Sequence, residues 1–377
     1  MSGFKETYHG KKIDHMDILN IEDAKEWLSG RECIIVTGVT GQDGSHMVDY
    51  LLKNTNYVVF GCVRRLSVYN HKNISHIDND RFKLINFDLT DSNLIARTVE
   101  SLKPKYFINL AAQSFVGSSW DFALQTWEAN CTSVLNILEA IRIHHPSCRF
   151  YQAGSSEEFG DVTFSPQSEL HPLRPRSPYG ASKVAARQLI KVWRDSYDLY
   201  AVQGWLFNHE GVRRGEEFVT RKITQNAVRI KNQYNTSYDF KPLQLGNLDA
   251  KRDWSDAEDF VDGIWKMLNQ EKNAQHEYVL SSNETHTVRE FVEEAFNFAG
   301  FGIEECEWIG EGINEKYIHG NKVLVEINPA FYRPAEVELL LGDSARARKE
   351  LGWEPKTSFT ELVKKMVDRD MDQWYKP

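Results

Sequence analysis

The sequence predicts an α/β protein, a doubly wound parallel sheet with a smaller C-terminal lobe. Three observations carry this. Short apolar runs alternate with amphipathic helical stretches from Cys33 to about residue 205, and strands alternating with helices build parallel sheets covered on both faces. The runs are apolar throughout, as strands buried on both sides require. Beyond residue 205 the alternation weakens, which suits a lobe set over the C-terminal edge of the sheet, where open α/β sheets bind ligands.

In chain order, residues 1–30 are polar and mixed in charge, with a short helix at "IEDAKEWL", and read as an N-terminal extension. The strands are "CIIVT", "YVVFGCV", "FKLINF", "YFINLAA", "RFYQAG" and "LYAVQGW". Between them lie the helical patterns "SHMVDYLLK", "DSNLIARTVESL", "TWEANCTSVLNILEAIR" and "YGASKVAARQLIKVW". Residues 31–205 thus form the sheet domain, rejoined by parts of 250–285, and 206–377 form mainly the second lobe. There a helix starts near Val219 and another covers "DAEDFVDGIWKML". "THTVREFVEEAFNFAG" opens with Thr287 and Glu290 in capping-box spacing and closes at Gly300. "SARARKELGW" and "SFTELVKKMV" supply the last helices.

Composition excludes several classes. A net charge of −9 argues against general affinity for nucleic acid or anionic membranes. The five cysteines are scattered, with no C-x-x-C spacing, so neither a disulfide framework nor a zinc site is expected. No run approaches the ~20 apolar residues of a membrane span, and the N-terminus has no apolar signal core. The expected location is the cytoplasm.

Chemistry enters at "IIVTGVTGQDG", where Gly38, Gly41 and Gly44 follow the first strand and lead into a helix. Glycines there let the backbone turn tightly against a pyrophosphate that faces the helix N-terminus. After the second strand, Arg64 and Arg65 stand where an acid would hold an NAD ribose. Guanidinium groups would grip a 2′-phosphate, so NADP is expected in preference to NAD. Asp88 and Leu89 could meet the adenine, and "NLAAQS", Asn109 to Ser114, could run beneath the nicotinamide half. Tyr179 and Lys183 are four apart on one helix face, a pairing in which the ammonium lowers the phenol's pKa for proton removal from a sugar hydroxyl. "AGSSEEFG" places Ser155 and Glu157 just after a strand.

These features resemble the extended short-chain dehydrogenases, the nucleotide-sugar branch of the Rossmann-type proteins. The segments "TGVTGQDGSHMVDYLL", "NLAAQSFVGSSW", "RSPYGASK", "LFNHEGVRRGEEFVTRKI", "LGNLDAKRDW" and "FYRPAEVELLLGD" narrow the resemblance to the GDP-mannose 4,6-dehydratase family, from about Arg31 to the C-terminus. The resemblance implies oxidation at carbon 4 of the hexose, loss of water across carbons 5 and 6, and return of hydride to carbon 6. It implies catalytic roles for Ser155, Glu157, Tyr179 and Lys183, with Glu157 as both base and acid. Its dinucleotide site matches Gly38, Thr40, Gly41, Gln42, Asp43 and Gly44, then Arg64, Arg65 and Ser67, then Asp88 and Leu89. Leu110, Ala111, Ala112, Gln113 and Ser114 match it too, as do His209 and Arg214. For the GDP-sugar it implies Ser114, Ser155, Glu157, Asn208, Val219, Lys222, Arg252, Arg333 and Glu336, with Lys222 and Arg252 suited to a pyrophosphate.

Some residues depart from the family pattern. Ser155 stands for threonine, Gln125 for an aromatic cofactor contact and Arg174 for a bulky aromatic; Ser255 and Asp256 replace Gly-His. Glu158 falls where the family has an apolar residue, and in an extended segment it would point away from Glu157 into a structural role. The departures leave the reactive groups intact but open the substrate to question. A GDP-linked heptose (GDP-D-glycero-D-manno-heptose) competes with GDP-mannose. A GDP-sugar epimerase or reductase on the same fold, and a catalytically silent dinucleotide sensor, are the other readings. The resemblance also implies a homodimer or homotetramer built through the two long helices after the fourth and fifth strands.

Overall fold

The computed structural model describes residues 17–66, 70–234, 240–272, 277–331 and 339–374, with the backbone of 7–8 and 11–12. Its centre is an eight-stranded sheet. The strands are β1 (Ile18–Leu19), β2 (Cys33–Thr37), β3 (Val58–Val63), β4 (Phe82–Asn86), β5 (Tyr106–Asn109), β6 (Arg149–Ala153), β7 (Tyr200–Leu206) and β8 (Val279–Leu280). Across the sheet they run β8-β7-β6-β5-β2-β3-β4-β1, every pair parallel. The expected doubly wound sheet is therefore observed. Its outermost strand β1 comes from the stretch read as an N-terminal extension, Ile18 lying opposite Leu84 and Leu19 opposite Ile85.

Alternation along each strand divides the core in two. Ile34 and Val36 of β2 face one layer, while Cys33 and Ile35 face the other. The first layer is closed by α2 (Gln42–Asn54) through Met47, Val48 and Leu51. Helix α7 (Ala257–Leu268) joins it through Phe260, Ile264 and Met267. The second layer is closed by α1 (Ile21–Leu28), α3 (Ser92–Leu102), α4 (Ser133–His144) and α5 (Pro178–Tyr197). Helix starts follow local chemistry. The Asp91 carboxylate accepts from Leu94 N–H ahead of α3, and Ser177 Oγ from Gly180 N–H ahead of α5, where Pro178 takes the first turn.

A second core belongs to the smaller lobe. It joins α6 (Val219–Tyr234), α8 (Val288–Phe296) and α9 (Phe359–Trp374) to a four-stranded sheet. The Thr287–Glu290 capping box forms as expected, and Gly300 turns at φ 94° just beyond α8. Among the described residues no helix is long and apolar enough to cross a membrane.

Candidate active site

A cleft of about 1660 Å³ opens at the C-terminal ends of the central strands, between the sheet and the smaller lobe. Its floor is the turn after β2. Gly38 has φ +68°, and a Cβ there would lie 2.8 Å from Ala111 N. At Gly44 a Cβ would lie 2.2 Å from Gly38 O, so backbone occupies the space a side chain needs. Gly41 caps α2 without a side chain, leaving the first helical N–H groups open toward the cleft. These features fit a dinucleotide pyrophosphate.

Beneath the turn, Thr37 Oγ1 donates to Asn109 Oδ1 at 2.5 Å and accepts from Leu110 and Ala111 N–H at 3.1 Å. Asn109 Nδ2 then donates to Gln152 Oε1 at 2.6 Å. Farther along, Gln113 N–H donates to Asn130 Oδ1 at 2.9 Å, which anchors the Leu110–Ser114 segment beside the turn.

Asp43 and His209 come together although 166 residues separate them, His209 Nε2 lying 2.8 Å from Asp43 Oδ2 and Nδ1 2.7 Å from Phe207 O. Both ring nitrogens face acceptors. Burial opposes charge on the imidazole, but the Asp43 carboxylate and the Phe207 carbonyl overcome it and hold His209 above its ordinary value. Burial likewise opposes the Asp43 charge, and His209 and Gln42 reverse that, leaving its carboxyl well below the usual range. Arg214 lies 2.9 Å from the Glu210 carboxylate and 3.5 Å over the Phe218 ring.

The reactive groups meet at the end of β6. Glu157 sits on a 3-10 turn (Ser156–Glu158) and not on an extended segment, and Ser155, itself still extended, caps that turn. The turn forms because Ser155 Oγ accepts from Glu157 N–H at 3.2 Å while Glu158 Oε1 accepts from Ser155 N–H at 2.9 Å, a complete capping box. Glu157 lines the cleft, whereas Glu158 is fully buried. The side chains still part company, by the twist of a turn instead of strand alternation.

On α5, Lys183 Nζ donates to Ala153 O at 2.9 Å and lies 5.7 Å from the centroid of the Tyr179 ring. Burial lowers the Lys183 pKa to about 8, against the pull of Glu158 and Asp43. Tyr179 corrects the expectation of a lowered phenol. Burial raises it, a hydrogen bond with Ser155 partly offsets this, and the Glu157 and Glu158 charges add to the rise.

Of the remaining expected residues, Thr40, Gln42, Arg64, Asp88, Leu89, Ala112, Ser114, Asn208, Val219, Lys222 and Arg252 line the same cleft. Asn208 Oδ1 is buried without a hydrogen-bond partner, and Lys222 Nζ donates to Gln244 O at 2.8 Å. Arg65 is exposed and lies off the cleft lining. Ser67, Arg333 and Glu336 lie outside the described residues. The sequence reading missed Arg221, buried in the lining with Nη1 2.6 Å from Asp370, and Phe331, whose ring lies 3.8 Å from Lys222 Nζ. Helix period places Arg221 beside Lys222 but on another face, a signal too weak to separate it from a solvated charge. Among the described residues no cluster of metal-ligating side chains exists.

A family model described as GDP-mannose 4,6 dehydratase matches residues 35–366. GDP-mannose 4,6 dehydratase 2 of Arabidopsis thaliana is 43% identical over 375 residues, covering 97% of this chain and 93% of that protein. The human GDP-mannose 4,6 dehydratase is 40% identical over 353 residues, covering 91% and 92%. Among solved structures, the dTDP-glucose 4,6-dehydratase DesIV of Streptomyces venezuelae, with NAD and TYD bound, superposes with a TM-score of 0.76 at 21% identity, covering 91% of this chain and 99% of that one. RMD of Pseudomonas aeruginosa, complexed with NADPH, gives 0.70 at 23% identity, covering 91% and 99%. These two likenesses speak to the fold.

Proposed function

Since this chain belongs to the GDP-mannose 4,6-dehydratase family and is a hydro-lyase, we propose that it converts GDP-D-mannose to GDP-4-keto-6-deoxy-D-mannose with NADP. The observation that carries the reading is Glu157, a carboxylate lining the cleft on the turn that also holds Ser155, across from Tyr179 and Lys183. A simple dehydrogenase or epimerase has no step that needs it.

NADP would lie on the Gly38–Gly44 turn, with Arg64 at the exposed end and Asp43, His209 and Arg214 within the cleft. When bound, it supplies the hydride chemistry, accepting from carbon 4 and giving back at carbon 6. Ser155 orients the carbon-4 hydroxyl against Tyr179. The phenol is neutral at rest, so its role as base needs positive charge nearby, which Lys183 provides below about pH 8. Once carbon 4 is a ketone, the hydrogen on carbon 5 becomes acidic because the resulting anion spreads onto oxygen. Glu157 removes it and protonates the departing carbon-6 hydroxyl. The C5–H and C6–O bonds break, a C5=C6 double bond forms and water leaves; when hydride returns to carbon 6, the proton that Tyr179 took from the carbon-4 hydroxyl goes to carbon 5. Lys222 and Arg252 are suited to the GDP pyrophosphate.

The enzyme works as a homodimer or homotetramer in the cytoplasm. Large apolar side chains stand exposed along the short helix Ala123–Trp127 and on α5, among them Leu124 and Val192, and elements this apolar favour a partner copy. All five cysteines are unbridged, which suits a reducing compartment.

Glu157→Gln tests the central claim. The variant should keep NADP and GDP-mannose binding and lose about 10²–10⁴-fold in dehydration, followed by mass spectrometry of the product. Full dehydratase activity would overturn the assignment.

A further inference from the structure

Glu158 and Arg187 form a buried ion pair that the reaction outlined above does not use. Arg187 Nε donates to Glu158 Oε2 at 2.5 Å and Nη2 to Oε1 at 3.3 Å. The pair joins two elements. Glu158 belongs to the turn that carries Ser155 and Glu157, and caps the Ser155 N–H itself. Arg187 lies on α5 four residues after Lys183 and eight after Tyr179, so the three share one helix face.

Behind the pair the anchorage continues. Arg187 Nη1 donates to Gln203 O at 2.9 Å and to Glu277 Oε2 at 2.6 Å, and Arg194 Nη1 holds the other Glu277 oxygen at 3.0 Å. Gln203 Nε2 donates to Glu158 Oε1 at 3.0 Å, and the Arg187 guanidinium lies 3.6 Å over the Trp205 ring. A buried ion pair adds little stability over well-packed apolar side chains of like volume. What this pair fixes is geometry.

We propose that the Glu158–Arg187 clasp sets the position of the acid–base turn, with Ser155 and Glu157, relative to the helix face bearing Tyr179 and Lys183. Both are positioning residues, acting through groups that touch the sugar. The inference rests on Glu157 being the acid–base group.

Two variants of the full-length enzyme test it beside wild type and Glu157→Gln. Glu158→Gln keeps an oxygen for the Ser155 N–H but turns an amide toward Arg187. It should lower kcat about 10²-fold, as misplacement of reacting groups by about 1 Å does, and leave KM for GDP-mannose nearly unchanged. In single turnovers oxidation at carbon 4 and elimination should slow together, because Ser155 and Glu157 both stand on the turn that loses its register with Tyr179 and Lys183. The double variant Glu158→Leu with Arg187→Met removes both charges together. It leaves Ser155 N–H and Gln203 short of partners and Glu277 with Arg194 alone, so it should melt cooperatively but below wild type, with kcat low and KM for GDP-mannose nearly unchanged. Wild-type kcat in the double variant, or in Glu158→Gln, would overturn the clasp. A fully active Glu157→Gln would instead overturn the acid–base reading beneath it.

Discussion

Burial brings the Lys183 ammonium down from 10.5 to about 8, so the native state releases that proton before the unfolded chain does. Between about pH 8 and 10.5 the unfolded chain therefore holds more protons, and stability from this group rises with pH. Below pH 8 the buried charge costs on the order of 3 kcal/mol. Unfolding in denaturant across this range should show Lys183→Met gaining on wild type at neutral pH, with the gap closing toward pH 10.5. A constant gap would remove burial as the cause. At the other end of the cleft, Arg64→Ala should weaken NADP about 10- to 100-fold, the worth of a charged hydrogen bond, and leave NAD nearly untouched. Equal loss of both in titration calorimetry would exclude a phosphate grip. The meeting of the glycines, Tyr179 and Lys183 on one cleft was legible in the sequence because fixed spacings on a strand-to-helix turn and on a helix mark them. The different fates of Glu157 and Glu158 were legible only in outcome, since the capping box that separates them depends on how the strand ends. The raised Tyr179 was not legible, because burial is a property of the assembled cleft.

The turn from β2 into α2 depends on absent side chains more than on present ones. Gly44→Ala would push a methyl to 2.2 Å from the Gly38 carbonyl oxygen. The backbone must shift, so the variant should lose roughly 1–3 kcal/mol of stability and retain no NADP through gel filtration. Retention of cofactor at wild-type melting temperature would show that the turn has slack. Elements with long periodic patterns, such as α3 and α5, were readable because their caps and apolar faces are encoded locally. Strand β1 was not, since two residues carry no period and Ile18–Leu19 becomes a strand only by pairing with β4. His209 was likewise placed by resemblance, and its Asp43 partner became visible only when the two lobes closed the cleft.

For the whole molecule, the surface poses the plainest question. Leu124 is 88% exposed, with Trp120, Phe122 and Trp127 around it in sequence and all exposed. Leu124→Asp should shift the enzyme toward monomer in sedimentation analysis while keeping its fold, because a charge is costly in an apolar interface and harmless in water. An unchanged mass would place the interface elsewhere. A smaller lobe with its own core, set over the C-terminal edge of the sheet, was legible from the loss of alternation after residue 205, but individual pairings across the cleft, such as Asp43 with His209, were not. Inside the sheet, Thr37, Asn109, Gln152 and Ala153 O link the glycine turn to the Lys183 ammonium in one unbroken polar spine across three neighbouring strands. Each group in it is buried, so slackening any joint weakens the hold on the next. A shift at the glycine turn is therefore felt at the lysine through buried hydrogen bonds.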